Sequence, residues 1–126
     1  MTQITYAPIS IGELIDKITI LEIKIKKTTD SEKLHNIQTE YDLLMNILGK
    51  LEIPTEVDGL RVQLFLVNNE LWVIEDSKRA HEKQQLFDSE FIQLARSVYI
   101  LNDNRANIKK QINLLTHSTI VEEKIY

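Results

Sequence analysis

The chain has 126 residues, 43% hydrophobic and 27% charged, with a formal charge of −4, enough for one domain with a real core. Its three Gly and two Pro fall far below the roughly 12% of average usage, which argues against the turn-rich sandwiches and barrels. The lack of Cys excludes disulfides, thiol nucleophiles and Cys-ligated zinc, no uncharged apolar run approaches the roughly 18 residues of a membrane span, and the acidic balance speaks against general phosphate-backbone binding.

Ser10-Ile11-Gly12-Glu13 reads as a capping box, in which the Ser10 hydroxyl takes the Glu13 amide and the Glu13 carboxylate reaches back. The first helix then runs over 11–27, with Ile11, Leu14, Ile18, Leu21 and Ile25 at alternating intervals of three and four. Lys24, Lys26 and Lys27 place positive charge at the negative end of its dipole. Thr29-Asp30-Ser31-Glu32 offers a second capping box for a helix over 31–51, with Leu34, Ile37, Tyr41, Leu44, Leu48 and Leu51 as its seam. These two helices must form a hairpin.

Ile53-Pro54 breaks the pattern, because the residue before a proline is pushed out of the α region. A third helix is expected over 56–86, with Val57, Leu60, Leu64, Val67, Leu71 and Ile74 as its seam and a polar far end. Asp88-Ser89 caps a fourth over 89–115, through Phe91, Leu94, Val98, Leu101, Arg105, Ile108, Ile112 and Leu115, and 116–126 reads as an irregular tail. The expectation is therefore an all-α, antiparallel bundle of two helical hairpins in one domain, crossing at shallow angles. The second hairpin is the longer, so its tip should project past the first. Val62, Phe65, Trp72 and Val73 on the third helix, and Ile20 and Ile23 on the first, lie off the main seams. Such faces require deep burial, a partner subunit or cover from ITYAPI and STIVEEKIY at the two ends.

Two charged residues fall where apolar ones belong. At 100° per residue Glu22 lies about 20° from Ile11, and Arg105 occupies a seam position of the fourth helix. Folding the chain about its turns puts both in one layer, which predicts a Glu22–Arg105 pair with Glu75 as the competing partner. One reading is a register-fixing buried ion pair. The other is an anion site in which Arg105, Arg96 and Lys109 receive the ligand while Glu22, Glu75 and Asn102 orient it. His81-Glu82-Lys83-Gln84-Gln85 opens like a zinc-protease helix but has Gln85 where the second ligand must stand, which excludes that chemistry. Glu13 and Asp16 share a helix face, as in magnesium-dependent helical hydrolases, but no partner motif precedes them, and capping accounts for Glu13. His35, His81 and His117 are read as exposed or capping, and Lys17, Lys24, Lys26 and Lys27 as a solvated face.

The segments SIGELIDKITILEIKIKK, NNELWVIEDSKRAHE, FDSEFIQLARSVYILNDNRANIKKQIN and VEEKIY together resemble a family of small helical proteins of bacteria and their phages, a domain of unknown function. The resemblance spans nearly the whole chain and implies no activity, substrate or cofactor. It covers Glu13, Asp16, Lys17, Glu22, Trp72, Glu75, Asp76, Arg79, Arg96, Tyr99, Asn102, Asp103 and Arg105, whereas Ile125 stands where a small polar residue is expected. Two functions are consistent with all of this. The first is a non-enzymatic interaction module that forms homodimers, or presents its 75–90 tip or its C-terminal tail to a protein partner. The second is an enzyme or small-molecule binder with a charged pocket between the helices. No metal, cofactor or membrane is expected, nucleic acid is disfavoured, and the missing Cys and missing basic-then-apolar leader fit the cytoplasm.

Overall fold

The computed structural model describes residues 2–125. It contains four α-helices packed as a bundle, with no strand among the described residues: α1 (Ile11–Lys27), α2 (Ser31–Gly49), α3 (Val57–Gln84) and α4 (Ser89–Leu115). Helices α1 and α4 have the boundaries expected from periodicity and caps. Helix α2 stops two residues early, where the Lys50 amide turns back onto the carbonyls of Ile47 and Leu48. Helix α3 starts one residue late and ends at Gln84. Its last turn is closed by Gln85 in the left-handed region (φ 53°) and by a bond from the Leu86 amide to the His81 carbonyl, a Schellman-type stop.

The caps are formed by short polar side chains. Ser10 Oγ accepts the Glu13 amide at 3.0 Å and Asp88 Oδ1 accepts that of Phe91 at 3.0 Å. At α2 the cap is Asp30 rather than Thr29, taking the amides of Glu32 and Lys33. The reciprocal half of the first capping box is not made, because the Glu13 carboxylate is bound elsewhere.

Helix α1 packs against all three others, whereas α2 lies close against α1 alone and reaches α3 through side chains such as Met45 and Arg61. Being central, α1 buries several faces at once: Leu14, Ile15, Ile18, Leu21 and Ile23 are all buried, and α2 buries no residue. The main core joins Ile15 to Val57, Leu60, Leu64 and Val67 of α3 and to Ile108 and Ile112 of α4. Burial in α3 ends at Asn68 and in α4 begins at Ile108, and no residue of 69–107 is buried. Helix α1 still reaches this hairpin at Trp72, through Lys27, and at Arg105, through Asp16, and the tail reaches it at Asp103; over 73–97 no third helix packs on it, and that part projects. Twelve helical residues, 73–84, correspond to about 18 Å of α3.

The ends of the chain cover less than expected. The N-terminal segment lies along α1 and α2, where Thr5, Tyr6 and Ile9 share a groove with Leu14, Leu44 and Ile47. The tail folds back along α4, with Lys110 bound to Glu123 and Lys124 bound to Asp103. Neither reaches Val62 or Val73 of α3, which are 59% and 52% exposed. Phe65 and Trp72 are instead half-covered by the ammonium groups of Lys26 and Lys27, at 5.1 and 5.9 Å from the ring centres. These two lysines are therefore not a purely solvated face. The irregular tail is described up to Ile125, and its final Tyr126 lies outside the described residues. Among the described residues no helix is long and apolar enough to cross a membrane.

Candidate functional site

The charged layer exists, with a different carboxylate. Asp16, fully buried on α1, takes a side-on pair of hydrogen bonds from Arg105 of α4: Nε to Oδ1 at 2.8 Å, and Nη2 to Oδ2. Asn68 of α3 completes the layer, its Nδ2 donating to Asp16 Oδ1 at 2.8 Å and to Thr19 Oγ1 at 2.9 Å. Arg105 Nη1 donates to Asn102 Oδ1 at 3.3 Å. The hydrogen bonds to Asp16 hold the Arg105 guanidinium's pKa above the ordinary arginine value, outweighing the effect of burial.

One turn along α4, Lys109 donates to Glu13 Oε2 at 2.5 Å and to Glu122 of the tail at 3.2 Å. Burial disfavours its charge, but the hydrogen bond to Glu13 and the field of Asp16 outweigh burial, and its pKa lies above the ordinary lysine value. Another turn along, Asn113 Oδ1 accepts the Gly12 amide at 2.6 Å, and Ser118 Oγ accepts that of Ile11 at 3.2 Å. The exposed amides of the first turn of α1 are thus met by α4 and the tail as well as by Ser10. The pairs Gly12–Asn113, Glu13–Lys109 and Asp16–Arg105 run in opposite directions, so α1 and α4 are antiparallel. Gly12 is required where they meet: a Cβ there would lie 2.5 Å from the Lys109 carbonyl oxygen.

Arg105 separates two clefts. The first, of about 750 Å³, lies between α1, α4 and the tail, and holds Glu13, Asn102, Lys109, Glu122 and Lys124. Its charges are bound to one another. The second, of about 530 Å³, lies between α1, α3 and α4. Ile20, Ile23, Leu71 and Trp72 form its apolar wall, and Glu75, Asp76, Arg79 and Arg105 its charged edge. Asp76 and Arg79 have no ion-pair partner among the described residues, while Glu75 accepts from Lys78 at 3.2 Å. The layer is therefore closed at Asp16 and open at Arg105, whose side chain is 27% exposed.

Of the six residues expected at the site, Asn102, Arg105 and Lys109 come together at the first cleft, and Glu75 lines the second. Glu22 does not meet Arg105; it lies 3.6 Å from Arg61 of α3. Arg96 is exposed on the outer half of α4 and lines neither cleft. The reason is the level at which the helices meet. Glu22 and Lys26 reach Arg61 and Phe65, whereas Thr19 and Lys27 reach Asn68 and Trp72, and no single offset relates these pairs. Pairing by level about the turns therefore does not hold, and Arg105 meets α1 at Asp16, six residues before Glu22. Residues of the family resemblance gather here all the same: Glu13, Tyr99, Asn102 and Asp103 at the first cleft, Trp72, Glu75, Asp76 and Arg79 at the second, Arg105 at both.

Asp16, Asn68, Thr19, Gly12 and Asn113 were not singled out as site residues from sequence. Gly12, Asp16, Thr19 and Ile23 fall four, three and four apart, and this stripe of small and polar residues signals a second packed face on α1. At the tip, His81 is half-buried, with Nδ1 on the Ser77 carbonyl at 2.8 Å and Nε2 at 3.6 Å from Asp88 and 3.8 Å from Glu90. The ligand atoms of these three residues lie within 4.8 Å of one another. Asp88 already serves as the cap of α4, and the Ser77 bond fixes the ring, so this cluster has a structural role in joining the two helices.

Residues 6–126 match the model of a family of unknown function (DUF6165), and the chain belongs to that family. No curated protein and no solved structure matches it.

Proposed function

We propose that this member of the family is a non-enzymatic helical assembly module whose projecting α3–α4 hairpin packs against the same hairpin of a second copy. The observation that carries this reading is that no residue of 69–107 is buried and no third helix packs on the hairpin over 73–97. Leu71, Ile74, Leu94, Val98 and Leu101 along the inside of the hairpin are only half-buried, and Val73, Ile92, Tyr99 and Ile100 on its outside are more than half exposed. A two-helix hairpin cannot bury its own seam, and two such hairpins related by a twofold axis make a four-helix bundle.

The surface area supports the same reading. A compact monomer of 14.7 kDa exposes about 6,900 Å², whereas this chain exposes 8908 Å². The excess of about 2,000 Å², part of it on the extended segment 2–9, exceeds the roughly 800 Å² that each partner buries in a standard interface. Val62 and Leu66 continue the exposed apolar stripe of Val73 toward the base of α3, giving the interface room to extend.

Light scattering on a size-exclusion column tests the proposal. The expected mass is twice 14.7 kDa at about 100 μM, with dissociation on dilution or in a Val73→Asp/Ile100→Asp variant that retains its helical circular dichroism. A parent chain that stays at the single-chain mass at that concentration overturns the proposal, as does a variant that stays dimeric.

A further inference from the structure

We infer that the cleft between α1, α3 and α4 is a binding site for a small organic carboxylate with an apolar body the size of an aromatic ring. The site lies within one chain but shares Leu71 with the hairpin seam, so the titrations below are run on the Val73→Asp/Ile100→Asp variant as well as on the parent. Arg105 is the lining residue of this cleft that is fixed by the buried layer. A guanidinium carries five N–H donors, and Asp16 and Asn102 engage three, which leaves two for a ligand. The fully buried Asp16 carboxylate holds the group in place, so little rotamer freedom remains to be lost on binding. Arg105 is partly exposed and borders open space.

The rest of the cleft defines the ligand class. Ile20, Ile23, Leu71 and Trp72 give it an apolar wall with one aromatic face, and about 530 Å³ is within the usual range for small-molecule sites. Arg79 stands at the outer end, eleven residues or about 16 Å along α3 from Asn68. Asp16 is paired with Arg105 and Glu75 with Lys78, and Lys27 lies over Trp72, which leaves Asp76 and Arg79 as the edge charges with no ion-pair partner among the described residues. A single negative charge placed directly on Arg105 adds an ion pair beside the apolar wall, and a bare phosphate has no apolar body to fill that wall. A flat carboxylate matches the two remaining donors, and its apolar body fills the wall beside Trp72.

Trp72 is the chain's single tryptophan, so its fluorescence reports on this cleft directly. Titrations with 3-phenylpropionate, its neutral amide 3-phenylpropanamide and inorganic phosphate distinguish charge, shape and chemistry. The expected result is a saturable change with the carboxylate below about 1 mM, and at least about tenfold weaker responses to the amide and to phosphate. Arg105→Lys, which keeps a cation opposite Asp16, and Arg79→Gln, which leaves the buried layer untouched, should each weaken the carboxylate, while Arg96→Gln on the exposed face of α4 should not. No saturation by about 10 mM overturns the site, equal response to the amide overturns the role of Arg105, and preference for phosphate overturns the ligand class.

Discussion

Asp16 and Arg105, 89 residues apart in sequence, meet in a side-on pair whose two halves differ in their access to water: the carboxylate is fully buried and the guanidinium is 27% exposed. The difference makes the pair asymmetric toward mutation. Arg105→Met leaves a buried carboxylate with only Asn68 for a partner, and removing one member of a buried pair costs about 3–5 kcal/mol. Asp16→Asn frees a guanidinium that can reach solvent, and should cost less than half as much. The double replacement Asp16→Leu/Arg105→Met should recover most of the loss, since apolar replacement of a buried pair is often neutral. Urea unfolding of the four proteins checks this; equal losses in the two single variants would contradict the asymmetry.

Gly12 gives a second expectation, at the point where α1 and α4 come closest. A Cβ there meets the Lys109 carbonyl oxygen at 2.5 Å and Asn113 Oδ1 at 2.9 Å, and the first of these is backbone that cannot rotate away. Ala is ordinarily the better helix former, so at an open position Gly12→Ala would stabilise. Overpacking against α4 reverses the sign, and the expected loss is about 3 kcal/mol in urea unfolding at unchanged slope. Gly59, whose added Cβ would meet nothing, serves as the control, with Gly59→Ala neutral or stabilising.

The helices were legible because their signals are local: Ser10, Asp30 and Asp88 cap, Pro54 separates the hairpins, and the intervals of three and four run without interruption. The membership of the charged layer was legible only on α4, where Arg105 breaks an otherwise apolar seam. Its partner was not, because the reading gave α1 a single inward face and chose Glu22 on that face. Asp16 lies about 140° around α1 from Ile11, a direction that would point to water on a surface helix. A central helix has no such side. The spacing of Gly12, Asp16 and Thr19 marks a second packed face on α1, but that α2 packs outside α1 is a tertiary fact.

Lys109 should give the protein a stability change at alkaline pH. Its folded-state pKa is raised above the ordinary value of 10.5 by Glu13 and Asp16, so the lysine's stabilising contribution is complete below about pH 10. That contribution is lost as pH rises through the folded value. The parent should therefore lose stability above about pH 10.5 faster than Lys109→Met, which starts lower and has no ammonium to discharge. Urea midpoints measured from pH 8 to pH 11.5, about the practical range, should converge for the two proteins; parallel curves would remove Lys109 as the cause.

The tail is fastened by charge. Glu122 binds Lys109 at 3.2 Å, Glu123 binds Lys110 at 3.0 Å, and Lys124 binds Asp103 at 2.6 Å. Apart from Lys109 the partners are exposed or half-exposed, and such pairs contribute at most about 1 kcal/mol each and weaken with salt. At the base of the tail Ser118 accepts the Ile11 amide, a neutral bond that salt does not screen. Raising the salt concentration or introducing Glu122→Gln/Glu123→Gln/Lys124→Gln should therefore free the segment beyond Ser118 while the helices stay folded. Hydrogen exchange or limited proteolysis should show faster opening at 119–125, and the thermal midpoint should move by no more than about 4 °C. Because Glu122 and Lys124 border the first cleft, the same change should widen access to Asn102 and to the outer edge of Arg105 without disturbing its bond to Asp16.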